Sequence, residues 1–156
     1  MKKILQKRLI KIVKWVVIVL ILFKVTFYLL GRLDMKNTIK RNSGIEISYF
    51  FKVMENKTFH YPGAFDSDYT WVFKLKVSEK DIKKISEQIE NSKFYNAKDD
   101  YSNSIYDSLT TYNLKGYWVL DKNVYEFYQA VEQWKEITTI QIDRLERTIE
   151  VNLTHL

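Results

Sequence analysis

After eight mostly basic and polar residues the chain enters a stretch that is apolar at most positions and has no acid. Leu9–Leu30, interrupted by Lys11, Lys14, Lys24 and Thr26, spans roughly 33 Å as a helix rising about 1.5 Å per residue, close to the ~30 Å hydrocarbon layer of a bilayer. The pattern predicts one transmembrane crossing. The unbroken run Trp15–Phe23 has the length of a signal-peptide core, but the following residues Lys24–Leu30 offer no small-x-small cleavage site, so the segment reads as an uncleaved signal anchor. Trp15, Lys24 and Tyr28 are its marked residues. A charge near the centre of a span costs roughly 2.5–3.5 kcal/mol on insertion scales, and Lys24 lies past the middle. To reach the nearer surface it must snorkel against the N-terminal lean of helical side chains. Two readings follow: Lys24 draws water into a marginal anchor, or it meets a carboxylate or carbonyl on a partner helix.

From Gly31 to Asn42 the residues are polar and charged apart from Leu33, Met35 and Ile39, and read as a stalk into which the last helical turns can continue. Ser43 and Gly44 form a turn-type pair. The organisation is therefore a basic N-terminus and signal anchor over 1–30, a stalk over 31–43 and a domain over 44–156.

Within that domain, Ile45, Ile47, Tyr49, Phe51 and Val53 alternate with polar residues and Phe50, predicting a strand over Ile45–Met54. A connection rich in turn formers, Asn56–Asp68, leads to Tyr69–Val77, where Tyr69, Trp71, Phe73, Leu75 and Val77 give the clearest alternation in the chain. Ser78 and Asp81 then have capping-box spacing, and Ile82, Ile85 and Ile89 follow at helical intervals, predicting a helix over 79–91. Residues 92–115 read as loop, and Tyr117–Leu120 as a short strand before a turn at Asp121–Asn123. Val124, Phe127, Tyr128, Val131 and Trp134 fall at helical spacing, with Asn123 and Glu126 as caps, while a strand through Tyr125 and Phe127 competes. Ile137–Asp143 and Thr148–Leu153 predict a closing hairpin around Arg144–Arg147. The sum is an α+β domain of ββαβ(α)ββ order, mainly antiparallel, with helices on one face.

Charge changes the functional picture. The net charge is +6, yet Lys2, Lys3, Lys7, Arg8, Lys11, Lys14, Lys24 and Arg32 precede the first acid, so the rest of the chain carries about −2. Nucleic-acid binding needs basic excess on the folded surface, which argues against it here. The basic cluster instead fits the cytoplasmic side of a cell membrane, with the C-terminal domain outside. The lipid bilayer is the first expected partner.

Composition, at 46% apolar and 28% charged, is that of a globular chain. The absence of cysteine excludes disulfides, thiolate metal sites and thiol nucleophiles. His60 with Asp66 and Asp68 is the one local set with metal-ligand chemistry, and its spacing is equally that of a polar turn. His155 has no acid or nucleophile beside it in sequence. No Gly-x-Ser-x-Gly elbow or Gly-rich phosphate loop is present, and Asp99 and Asp100 sit in the expected loop. No cofactor, metal or catalytic residue is expected, and the domain reads as non-enzymatic.

Aromatic residues are abundant, at 15% with eleven tyrosines. Tyr61, Tyr95, Tyr101, Tyr106 and Tyr112 fall in expected loops, where Tyr suits protein recognition; Tyr61, Tyr101, Tyr106 and Tyr112 are the candidate partner-binding set. Heavy use of Lys, Ile, Asn, Tyr and Phe is also the bias of an AT-rich coding sequence and accounts for part of the excess. The bias and the compact anchor read as bacterial.

The run Pro62–Leu75, with the amphipathic helix after it, resembles small uncharacterised anchored or lipid-anchored proteins of Gram-positive bacteria. In those a Gly-Phe-x-Gly-Asp-Gly turn precedes strand and helix; here Gly63-Ala-Phe-Asp-Ser-Asp68 stands in its place, and the lipid-bearing Cys is missing. The resemblance implies location and fold rather than activity. The expectation is a single-pass protein presenting a protein-binding domain. The alternatives are an immunity-type protein against a toxin, a subunit of an envelope complex, or a cell-envelope hydrolase using His60 and Asp66.

Overall fold

A computed structural model describes residues 2–61, 68–95, 114–131 and 135–155. The chain divides into two compact units, Met1–Met35 and Lys36–Leu156. The first is formed by helix α1, which runs Lys2–Ser43 and so continues into the second. Within it every large apolar side chain from Ile10 to Leu30 is open, from 46% at Ile18 to 65% at Trp15. Apolar residues cover all sides of this stretch rather than one stripe. It is a helix long and apolar enough to cross a membrane.

The second unit is α+β, as its patterning predicts. Strands β1 (Lys52–His60) and β2 (Tyr69–Lys76) form a hairpin, helix α2 (Glu79–Glu90) follows, and β3 (Leu114–Asp121), β4 (Val124–Val131), β5 (Glu136–Asp143) and β6 (Thr148–His155) form a meander. The six strands make one antiparallel sheet in the order β1-β2-β6-β5-β4-β3, so the last strand joins the hairpin to the meander. One sheet face carries Trp118, Tyr125, Phe127, Ile140, Ile142, Ile149, Val151, Phe73 and Leu75, all buried. Ile82, Ile85 and Ile89 of α2 supply the matching apolar stripe, joined by Ile39, Ile45, Ile47 and Phe51. Thr38 and Ile39, in the segment expected as a stalk, are thus buried. The Ser78 hydroxyl accepts from Asp81 N–H at 3.1 Å and donates to the Asp81 carboxylate at 2.6 Å, which fixes the start of α2.

Two expectations need correction. The first strand lies at Lys52–His60 rather than Ile45–Met54. Ile45, Ile47 and Phe51 are buried as their alternation suggests, but the Glu46 backbone is satisfied by a side chain: Gln88 Oε1 accepts from Glu46 N–H at 2.9 Å, and Gln88 Nε2 donates to the Glu46 carbonyl at 3.0 Å. Residues 56–60, expected in a connection, pair with β2 instead, from Asn56 opposite Phe73 to His60 opposite Tyr69. This is an edge strand, exposed on both faces from Asn56 onward, so no hydrophobic period betrays it. A register shift between Val53 and Glu55 bends it, and with Lys52 and Lys57 blunts the open edge.

The second correction concerns Val124–Val131, a strand and not a helix. Tyr125 and Phe127 are buried on one face, and the Lys122 and Asn123 turn, with Lys122 at φ 53°, returns the chain into a hairpin with β3. Val, Tyr and Phe favour the pleated sheet, and the helical spacing of Val124, Phe127 and Tyr128 is incidental. Trp134 and most of the expected loop, residues 96–113, lie outside the described residues. The closing hairpin falls where it is expected, with Arg147 at φ 53° in its turn.

Candidate functional site

In the apolar part of α1, Trp15 is 65% and Tyr28 60% exposed. Arg32 donates to the Tyr28 hydroxyl at 2.8 Å, and its guanidinium lies 5.4 Å from the Tyr28 ring centroid. Thr26 donates to the Leu22 carbonyl at 2.9 Å, which hides its hydroxyl within the helix. Lys24 has no such arrangement among the described residues.

Of the candidate partner-binding tyrosines, Tyr61 is described; Tyr101, Tyr106 and Tyr112 lie outside the described residues. Tyr61 closes the first hairpin, its N–H donating to the Asp68 carbonyl at 3.1 Å. Its ring is half exposed, and its hydroxyl bonds to Thr70 Oγ1 at 3.2 Å, which bonds to Thr154 Oγ1 at 3.0 Å. By the two-residue strand period Phe59, also 50% exposed, shares this face. Phe59 is invisible as a site residue while the segment is read as a connection. Once paired opposite Thr70 it extends the Tyr61 patch along the edge strand.

The His60 constellation does not assemble among the described residues. His60 pairs with Tyr69 while Tyr61 bonds to Asp68, so alternation sends the His60 and Asp68 side chains to opposite faces; Asp66 lies outside the described residues. Instead, the two histidines flank one ring: Tyr69 lies 6.5 Å from His60 and stacks on His155 at 5.7 Å with 6° between planes. Glu136 follows in the same cross-strand row. The histidines sit on strands either side of β2, about 10 Å apart, too far to share one metal ion. Among the described residues no group of three or more His, Asp or Glu has metal-binding geometry.

A further polar link lies under α2. Tyr125 is fully buried and its hydroxyl donates to the Glu90 carboxylate, while Tyr95 packs edge-on at 6.1 Å and the Arg144 guanidinium lies 5.7 Å from the ring centroid. Burial first, and the bond to Glu90 second, push the phenol up to about 12. The phenol is a structural donor held away from solvent. A cleft of about 630 Å³ is lined by Arg41, Asn42, Gln88, Lys93, Gly116 and Phe127.

At the surface, Lys40 and Glu46 form an ion pair at 2.5 Å; the hydrogen bond, then the charge, lowers the Glu46 carboxyl and raises the Lys40 ammonium. Lys74 pairs with Glu150 at 3.0 Å across β2 and β6 and is raised in the same way. These are exposed or half-exposed cross-links of small energetic weight. No family model, no curated protein and no solved structure matches the chain, so its own geometry carries the functional reading.

Proposed function

We propose that the chain is a single-pass, signal-anchored protein of a bacterial cell membrane, with its N-terminus in the cytoplasm. Its C-terminal α+β domain, outside, binds another protein and catalyses nothing. The observation that carries this reading is the all-round exposure of apolar side chains between Ile10 and Leu30, a surface that only lipid or other apolar chains can cover. The basic cluster ahead of that segment supports the orientation. The likeness of residues 62–90 to anchored proteins of Gram-positive bacteria is in accord with it.

For protein binding, the support is the half-exposed pair Phe59 and Tyr61 on the edge strand. The Tyr61 ring, its hydroxyl held by the neighbouring strand through Thr70 and Thr154, loses little entropy when a partner covers it, and Phe59 adds apolar area on the same face. Tyr101, Tyr106 and Tyr112 belong to the same proposed set. Crosslinking in intact cells followed by mass spectrometry tests it, using the full chain and a version whose residues 1–33 are replaced by an unrelated signal anchor. Capture of one partner by both versions, reduced by Tyr61→Ala and Phe59→Ala, is the expected result. Capture that needs the native anchor would place recognition in the membrane span and Lys24.

A further inference from the structure

Phe50 is the most exposed aromatic side chain among the described residues of the second unit, at 88%, and its neighbour Tyr49 is 51% exposed. Neither is a loose end. Ile47 and Phe51 on either side are buried, and Phe50 N–H donates to Ser48 Oγ at 3.2 Å, so the turn is pinned with its two rings outward. Lys36 Nζ sits 3.8 Å from the Tyr49 ring centroid. A depression of about 560 Å³ beside the rings is lined also by Lys80 and Lys84 of α2. The acids nearby are engaged, Glu46 with Lys40 and Asp81 with Ser78. Rings and lysines together form an aromatic and basic surface.

The position of this surface along the chain gives it an occupant. Lys36 lies six positions after Leu30, the end of the apolar stretch, a length of chain that spans about 9 Å as helix and at most about 20 Å however it is arranged. Tyr49 packs on Lys36, so its turn is tethered within reach of the headgroup layer that borders a hydrocarbon core ending at Leu30. Aromatic rings concentrate at that boundary, and lysines there are drawn to anionic lipid while their stems lie along apolar surface.

We propose that the Tyr49 and Phe50 turn is a second, interfacial membrane contact, in which both rings enter the headgroup layer of the anchoring bilayer and Lys36, Lys80 and Lys84 face anionic headgroups. This rests on the reading of Leu9–Leu30 as a membrane span. An open phenylalanine is thereby matched to lipid, and the contact explains why the most exposed ring lies beside the first residues of the second unit.

The chain has no cysteine, so single substitutions can be labelled in the full-length protein with an environment-sensitive fluorophore and reconstituted in vesicles of mixed phosphatidylcholine and phosphatidylglycerol. Three sites are compared: Val19→Cys in the apolar helix, Phe50→Cys, and Leu145→Cys, which is 72% exposed in the turn between β5 and β6. The Val19 label should be quenched by nitroxides deep in the acyl chains. The Phe50 label should shift to the blue and be quenched by nitroxides near the headgroups, less so without phosphatidylglycerol or with Lys80→Glu and Lys84→Glu added, while the Leu145 label stays water-like. A Phe50 label that is water-like while Val19 is quenched overturns the interfacial contact alone. Protection of Phe50 only in native membranes, and not in vesicles, also overturns it, in favour of a protein partner. An unquenched Val19 label refutes the span, and the contact falls with it.

Discussion

Gly116 is where the packing makes its sharpest demand on the sequence. It sits where the β3–β4 register shifts between Leu114 and Tyr117, and Phe127 lies across it. A Cβ at Gly116 would stand 2.1, 2.5 and 3.0 Å from three carbons of the Phe127 ring. Carbon atoms prefer about 3.5–4.0 Å, so Gly116→Ala forces the ring to move by more than 1 Å, roughly. Phe127 is 3% exposed and its ring lies 5.0 Å from that of Trp118, so on one side there is no room. The neighbouring cleft offers the other way out, at the expense of burial and of the Trp118 contact. Either route costs about 3 kcal/mol, the upper part of the range for overpacking and about the worth of a buried Phe. Alanine's smaller unfolded-state entropy offsets about 0.5–1 kcal/mol. The net is about 2 kcal/mol, or a fall in Tm of roughly 8 °C for a domain of this size. Thermal unfolding of the full chain in detergent, followed by circular dichroism in the β-sheet region, measures it. Adding Phe127→Leu should recover part of the loss, with a coupling of at least about 1 kcal/mol. A melting temperature unchanged by Gly116→Ala, or strict additivity in the double variant, would refute the close approach of these two residues.

Tyr125→Phe should cost about 1–2 kcal/mol, the loss of a hydrogen bond to a carboxylate, partly offset because the exposed Glu90 regains water. The phenol is raised to about 12 in the fold against 10.0 for a free tyrosine, so its contribution is complete below pH 10 and fades as pH rises toward 12; denaturant titrations should show wild type and variant converging over that interval, and a constant gap would count against a buried neutral phenol. Gln88→Ala removes both bonds to the Glu46 backbone at a partly exposed site and should cost about 1–2 kcal/mol, with hydrogen exchange at the Glu46 amide rising more than at β2 amides; equal protection would contradict the clamp. Lys24→Leu should favour membrane insertion by up to about 3 kcal/mol in a reconstituted translocation assay. Loss of a co-purifying membrane protein in that variant would mark Lys24 as a helix-partner contact, and unchanged association would leave it a charge borne by lipid and water.

The parts of the fold that announce themselves in sequence are those in which one face is buried and the other is not. Tyr69–Val77 alternates because β2 is covered on one side, and Ile82, Ile85 and Ile89 repeat at helical spacing because α2 lies on the same sheet. Where burial does not alternate, the pattern misleads. The outer half of β1 is wet on both faces and reads as a turn, whereas Ile45, Ile47 and Phe51 bury alternate residues without any ladder, because Gln88 supplies the hydrogen bonds to Glu46 that a strand would. Val124–Val131 satisfies both periods, and its pairing with Ile137–Asp143, fixed by tertiary contacts, decides. The long apolar helix is legible directly from the run of apolar residues between Leu9 and Leu30. The separation of His60 from Asp68, the placing of both histidines against Tyr69, and the bond between Tyr125 and Glu90, 35 residues apart, depend on strand order and register, which no local spacing encodes.

The central claim is that one helix crosses the membrane and holds the sheet domain outside, and accessibility of single cysteines to a membrane-impermeant maleimide tests it most directly. Lys122→Cys in the exposed turn between β3 and β4 and Gln6→Cys in the basic N-terminus are each introduced into the cysteine-free chain. In intact cells the account predicts labelling at position 122 and none at position 6 until the membrane is opened. Labelling at 6 but not at 122, or release of the chain from membranes by alkaline carbonate, would contradict it.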